Sequence, residues 1–219
     1  MIPVKDENPT RNFPFFNTLL IMANISIFVL QIINPAMNEY LIMKYSMIPA
    51  VFISNPVSEA YRLVTYSFLH GGFYHIIGNM LFLYIFGDNI EDVFGHLKYI
   101  LFYLVSAVIG VLTQTIFSLS SNIPIIGASG AISAVITAYM LIFPMRRVVT
   151  LVFLGFFIIP VRIPALFYIA LWIVHQISGS FFSLLLPVMG GIAYLVHLGG
   201  IISGYFGTKI LIKRKKRRY

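Results

Sequence analysis

The chain has 219 residues, of which 59% are apolar and only 10% charged, with a mean hydropathy of +0.90. An average soluble domain carries roughly 25% charge, so the composition is that of a membrane protein. Cysteine is absent, which excludes disulfides, thiolate metal sites and a cysteine nucleophile. The net charge of +8 does not point to nucleic acid, because seven of the fifteen cations lie between Lys209 and Arg218, where a tail facing lipid headgroups accounts for them.

Residues 1–14 form a short segment of mixed charge, and no small-residue cleavage site follows the first apolar run, so no removable signal peptide is expected. Apolar runs long enough to cross a bilayer, at about 20 residues each, are expected at 15–33, 69–87, 99–119, 129–144, roughly 164–186 and 191–212. Eleven prolines and sixteen glycines argue for a packed all-α bundle of these six spans, since bilayer helices tolerate such residues only where neighbours re-satisfy the backbone. In the first span Asn17, Asn24 and Gln31 recur every seven residues and are expected to face protein. The connection 35–68 is apolar for a loop and suits the outer interface. The stretch 148–163, "VVTLVFLGFFIIPVRI", is read as a connection or interfacial segment, because Pro160 and Pro164 flank Arg162.

Six spans put both termini on one side. That side then holds Lys5, Arg11, Lys98, Arg146, Arg147, Arg162 and the seven cations of the tail 209–219, against only Lys44 and Arg62 opposite. Thirteen against two places the termini in the cytoplasm of a cell membrane, as a multi-pass protein of one domain over 1–219.

Polar residues at membrane depth mark function by default. Ser129 opens a span ending near Phe143 and sits about 21 Å above the inner boundary of a roughly 30 Å core; His197 sits about 18 Å and His75 about 20 Å above it. The segment 120–128 must then dip below the outer surface, which requires protein or a water-filled cavity to receive it. His197 shares its helix face with Gly200 and Gly204, and small residues at that spacing let helices approach closely. Packed so, Ser129 and His197 come within reach as nucleophile and general base, without an acid. His75 and Asn79, four residues apart, would point the same way and donate to an oxyanion together with the Ser129 amide. His70 and His75 are five apart and there is no HExxH, so neither metal nor cofactor is expected. His96 and His175 are read as structural or exposed, and Trp172 as packing.

The stretches "YRLVTYSFLHGGFYHIIGNM" (61–80), "FGDNIE" (86–91), "IGASGAI" (126–132), "IPALFYIALWIV" (163–174) and "HLGGIISG" (197–204) jointly resemble the rhomboid intramembrane serine proteases. The resemblance implies a six-helix bundle around a water-accessible cavity open to the outer side. It implies Ser129 as nucleophile, framed by Gly127 and Gly130 in a GxSG motif, and His197 as base, followed by a GxxxG at Gly200 and Gly204. It gives His75, Asn79 and the Ser129 amide as the oxyanion group, and Arg62 and Glu91 as structural positions. The implied partners are transmembrane substrates and membrane lipids, and oligomeric state is not implied. Two places depart from the family: Tyr61 stands for the usual Trp, and Ser133 for the Tyr or Phe that packs on the catalytic histidine. Either another aromatic takes that place or the pair is held more loosely. The alternatives are a noncatalytic rhomboid-like protein that binds transmembrane clients and a small transporter; the latter would be expected to show an internal repeat, which is not seen.

Overall fold

A computed structural model of the chain describes residues 1–185 and 193–216, with side chains through 182 and from 193 to 212. Strand β1 (Ile2–Asp6) leads into α1 (Phe15–Ile33), followed by α2 (Pro35–Tyr45), α3 (Pro49–Ser54), the short α4 (Arg62–Thr65) with a 3-10 turn over Tyr66–Phe68, α5 (Phe73–Phe94), α6 (His96–Ile116) and α7 (Ser129–Ile142). Strands β2 (Arg147–Leu154) and β3 (Phe157–Pro164) come next, then α8 (Ala165–Leu185) and α9 (Tyr194–Lys216). The expected ends of the fifth span at 186 and of the sixth at 191, and the last tail residues 217–219, lie outside the described residues.

Among the described residues, α1, α6, α8 and α9 are long and apolar enough to cross a membrane. The other two expected spans differ for reasons that concern the site. Helix α5 has the length but carries His75, Asn79, Asp88 and Asn89, and α7 is apolar but only 14 residues long, about 21 Å.

The expectation of a purely helical chain is corrected by a three-stranded antiparallel sheet in the order β1-β2-β3. The stretch read as a connection is a hairpin turning at Gly155, in which Arg147 pairs with Pro164 and Leu154 with Phe157. Its Val, Ile and Phe content favours strands. The N-terminal segment adds the third strand, with Ile2 opposite Leu151 and Asp6 opposite Val148. Sequence periodicity missed this because the hairpin's apolar run has no alternation to distinguish it from a buried helix.

The stripe on α1 is buried as expected: Asn17, Asn24 and Gln31 are 2%, 0% and 3% exposed. Asn17 donates to the Leu83 carbonyl at 3.1 Å and accepts from the Tyr99 hydroxyl at 2.7 Å. Gln31 brackets His70, donating to its carbonyl and accepting from its amide. The first turn of α1 follows Pro14, which supplies no side-chain cap. Glu91 of α5 fills that role by accepting from the amides of Phe16 (2.9 Å) and Asn17 (2.7 Å), an anion placed on a helix N-terminus.

The connection 34–68 is built of short helices around a buried Arg62, which donates to the carbonyls of Met43 (2.9 Å) and Ser46 (2.6 Å) and pairs with Glu59. Its residue Met47 exchanges two backbone hydrogen bonds with Ile125, and the Tyr66 carbonyl accepts from the Gly127 amide at 3.0 Å. The approach to Ser129 is therefore held by the connection that Arg62 organises.

Candidate active site

The site is built where α7 begins, beside α9. Gly127 has φ +119°, a left-handed conformation that favours glycine, and a Cβ there would lie 2.7 Å from both Cε1 and Nε2 of His75. That residue thus lets the chain turn into α7 while pressed against the His75 ring. Ser129 is the first residue of α7, so its amide has no carbonyl within the helix to bond.

Helix α9 meets α7 closely, at glycines that leave room for the neighbouring backbone. A Cβ on Gly200 would collide with the Gly130 carbonyl oxygen, and one on Gly204 would lie 2.7 Å from the Ala134 Cα. This close approach lets His197 reach across: its Nε2 is 2.8 Å from Ser129 Oγ. Both side chains are half-buried.

The other nitrogen of His197 has a partner that the sequence reading did not identify. Its Nδ1 lies 2.8 Å from Oε1 of Gln176 on α8, a side chain 6% exposed. A carbonyl oxygen can only accept, so Gln176 places the proton on Nδ1 and leaves the Nε2 lone pair facing the serine hydroxyl. At its other end Gln176 Nε2 lies 3.3 Å from Nδ1 of His175, which accepts in the tautomer protonated at Nε2. Trp172, one turn earlier on α8, has its ring 6.3 Å from that of His197, and Tyr194 approaches edge-on at 6.2 Å. These two rings flank the histidine. Ser133, where the family commonly has an aromatic, donates instead to the Ser129 carbonyl at 2.6 Å. An open apolar groove of about 300 Å³ runs along α8, lined by Met1, Phe167, Leu171, Trp172 and His175 among others.

The expected oxyanion group is brought to the same place. His75 Nδ1 accepts from the Gly71 amide at 3.3 Å, which leaves Nε2 to carry the proton against Gly127. Asn79 is buried, and its Nδ2 would lie 3.7 Å from a Cβ on Gly127. One N–H of that amide is engaged by His70 Nε2 at 3.0 Å, and the second is available. His70, set aside in the sequence as a poor metal ligand, is thus the residue that orients Asn79. Glu91 does not join the site: it lies twelve residues from Asn79 on α5, about 18 Å along the axis, and also pairs with His96 at 2.5 Å. Arg62 acts only through the connection.

Residues 57–214, well over half of the chain, match the family model described as the rhomboid domain. The chain is 28% identical to RHOMBOID-like protein 5 of Arabidopsis thaliana over 151 residues, covering 69% of this chain and 44% of the relative. It is 27% identical to Rhomboid protein 1, mitochondrial, of Saccharomyces cerevisiae over 160 residues, covering 69% and 43%. The chain thus spans less than half the length of these curated relatives. A membrane protein whose helices hold the serine, the histidine and the glycines between them within one matched domain, it belongs to the rhomboid family.

Proposed function

We propose that the chain is an intramembrane serine endopeptidase that hydrolyses peptide bonds in or beside the transmembrane segments of other membrane proteins. The observation that carries this is the 2.8 Å contact between Ser129 Oγ and the His197 Nε2 that Gln176 leaves unprotonated. Ser129 Oγ attacks the carbonyl carbon while its proton passes to Nε2. The oxyanion so formed is met by the Ser129 amide, His75 Nε2–H and the second N–H of Asn79. The proton on Nε2 then moves to the leaving amine as the C–N bond breaks, giving an acyl enzyme. Water entering through a cavity open to the outer side attacks the ester, returns a proton by way of Nε2 to Ser129 Oγ, and releases the acid. Gly127, Gly130, Gly200 and Gly204 bring the elements together, and Arg62 and Glu91 hold the frame. No cofactor takes part.

Helices α5 and α7 complete six spans, with both termini on the cytoplasmic side of a cell membrane. The backbone pairings support this by parity. Strand β1 pairs with β2, so residues 6 and 147 share a side, and Met47 pairs with Ile125, so those two share a side. With α1 and α6 crossing, the second pairing requires α5 to cross, and the first then requires α7.

Substrates are transmembrane proteins, and the bond to be cut must leave its helix, because a helical peptide group is shielded and engaged in its own hydrogen bonds. Segments with Gly, Pro or small polar residues near the cut are preferred over a rigid poly-Leu helix. The test is labelling of the purified protein with a fluorophosphonate. Labelling of wild type that is lost in Ser129→Ala and His197→Ala is expected. Folded wild type that resists probes of several sizes would favour a noncatalytic, client-binding rhomboid.

A further inference from the structure

We infer that Gln176 is a positioning residue of the site, a neutral third member that fixes the tautomer and ring orientation of His197 where serine hydrolases commonly use a carboxylate. The inference rests on the proposed serine chemistry and deepens it. Three observations on different elements carry it. First, the Gln176 carbonyl oxygen is 2.8 Å from Nδ1, the nitrogen opposite the one that faces Ser129. Second, Gln176 is buried, and its Nε2 lies 3.3 Å from Nδ1 of His175. Third, the place four residues after the serine holds Ser133, whose hydroxyl is spent on the Ser129 carbonyl, so no ring from α7 holds the imidazole from that place. Trp172 and Tyr194 confine the ring by packing, which restricts its tilt but cannot choose between tautomers. A hydrogen bond to Nδ1 can.

The chemistry of an amide differs from that of an acid in one respect that can be measured. An ionised carboxylate beside Nδ1 would stabilise the imidazolium that forms during catalysis and raise the basicity of Nε2. A neutral amide fixes the geometry while adding no charge, which suits a site in a membrane where a buried carboxylate is costly. The proton transfer itself is unchanged: it leaves Ser129 Oγ, resides on Nε2 while Nδ1–H remains bonded to Gln176, and departs on the leaving amine.

The experiment compares wild type, Gln176→Leu and the isosteric Gln176→Glu, measuring kcat and KM on a cleaved transmembrane substrate, fluorophosphonate labelling rate against pH, and thermal stability. Gln176→Leu is expected to lower kcat by about 10- to 100-fold with KM unchanged, a part of the roughly 10²- to 10⁴-fold that a positioned base contributes. Gln176→Glu is expected to stay within about tenfold of wild type and to move the acidic limb of the pH profile to higher pH. An active wild type with Gln176→Leu at the same kcat, or Gln176→Glu with an unmoved limb, overturns the role of Gln176 alone. Equal loss of thermal stability in both variants with no change of limb marks Gln176 as packing and also overturns it. A wild type that neither labels nor cleaves overturns the proposed function, and this role with it.

Discussion

Asp6 is a carboxylate placed where the sheet meets the bundle. Its Oδ2 accepts from the Tyr139 hydroxyl at 2.6 Å and from the Asn89 amide at 3.1 Å. Burial raises its pKa above the ordinary 3.8, and the hydrogen bonds from Tyr139 and Asn89 and the nearby Arg146 offset this only in part. The sign follows from linkage. Below the ordinary value Asp6 is neutral in both states, and as pH rises the unfolded chain ionises first, so its contribution to stability falls until the folded-state value is passed. Asp6→Asn removes the buried charge and keeps an oxygen for Tyr139. The melting temperature of the variant relative to wild type is therefore expected to rise as the pH is raised above about 4, where the unfolded carboxyl ionises. A difference that stays constant with pH would contradict the argument. At this same scale the sequence was readable where residues repeat and opaque where they do not. Asn17, Asn24 and Gln31 declared a face by their spacing, and all three are buried. Gln176 shares its helix with His175 and Ser180, and no spacing among these pointed to His197. Its polarity in an apolar run was a signal, but its partner lies on another helix, and spacing along one chain carries no information about that.

Among the elements, the contact that matters most is α7 against α9. Each presents small residues to the other, Gly130, Ser133 and Ala134 on α7 facing Gly200 and Gly204 on α9. In a membrane, where lipid is as apolar as leucine, such a pair is held by close backbone packing instead of hydrophobic exclusion. The pattern was legible because it depends on residue size at intervals of three and four. The pairing of β1 with β2 was not, since it joins segments more than 140 residues apart, and a one-dimensional pattern does not state pairings. The close approach also sets a strong expectation for substitution. A side chain on Gly200 meets the Gly130 backbone carbonyl, which cannot rotate aside. Gly200→Val is expected to cost at least about 3 kcal/mol, the upper end of ordinary overpacking, and to abolish fluorophosphonate labelling while Ser129 and His197 remain. Full labelling in a folded variant would mean that the helices tolerate separation and that their spacing does not set the dyad.

At the scale of the whole molecule, the order of crossings decides which face the site opens to. The two pairings that close the parity argument, β1 with β2 and Met47 with Ile125, lie at opposite ends of the helices. The first gathers the N-terminal strand, the hairpin and the ends of α5 and α7. The second gathers the connection 34–68 and the approach to Ser129. Ser129 therefore enters from the face that carries Lys44 and Arg62, while Arg146, Arg147 and Arg162 sit with the sheet. The absence of cysteine makes this directly testable, because each introduced cysteine is unique. Val57, Asn122, Arg11 and Phe156 are exposed and report on the two faces in turn. In intact cells expressing single variants, a membrane-impermeant maleimide is expected to label Val57→Cys and Asn122→Cys, and to label Arg11→Cys and Phe156→Cys only after the membrane is opened. Arg11→Cys and Phe156→Cys on opposite sides would break the parity and the count of six. The inverted pattern would keep the count and reverse the orientation, and the proposed protease would then draw its water and its substrates' cut ends from the cytoplasmic face.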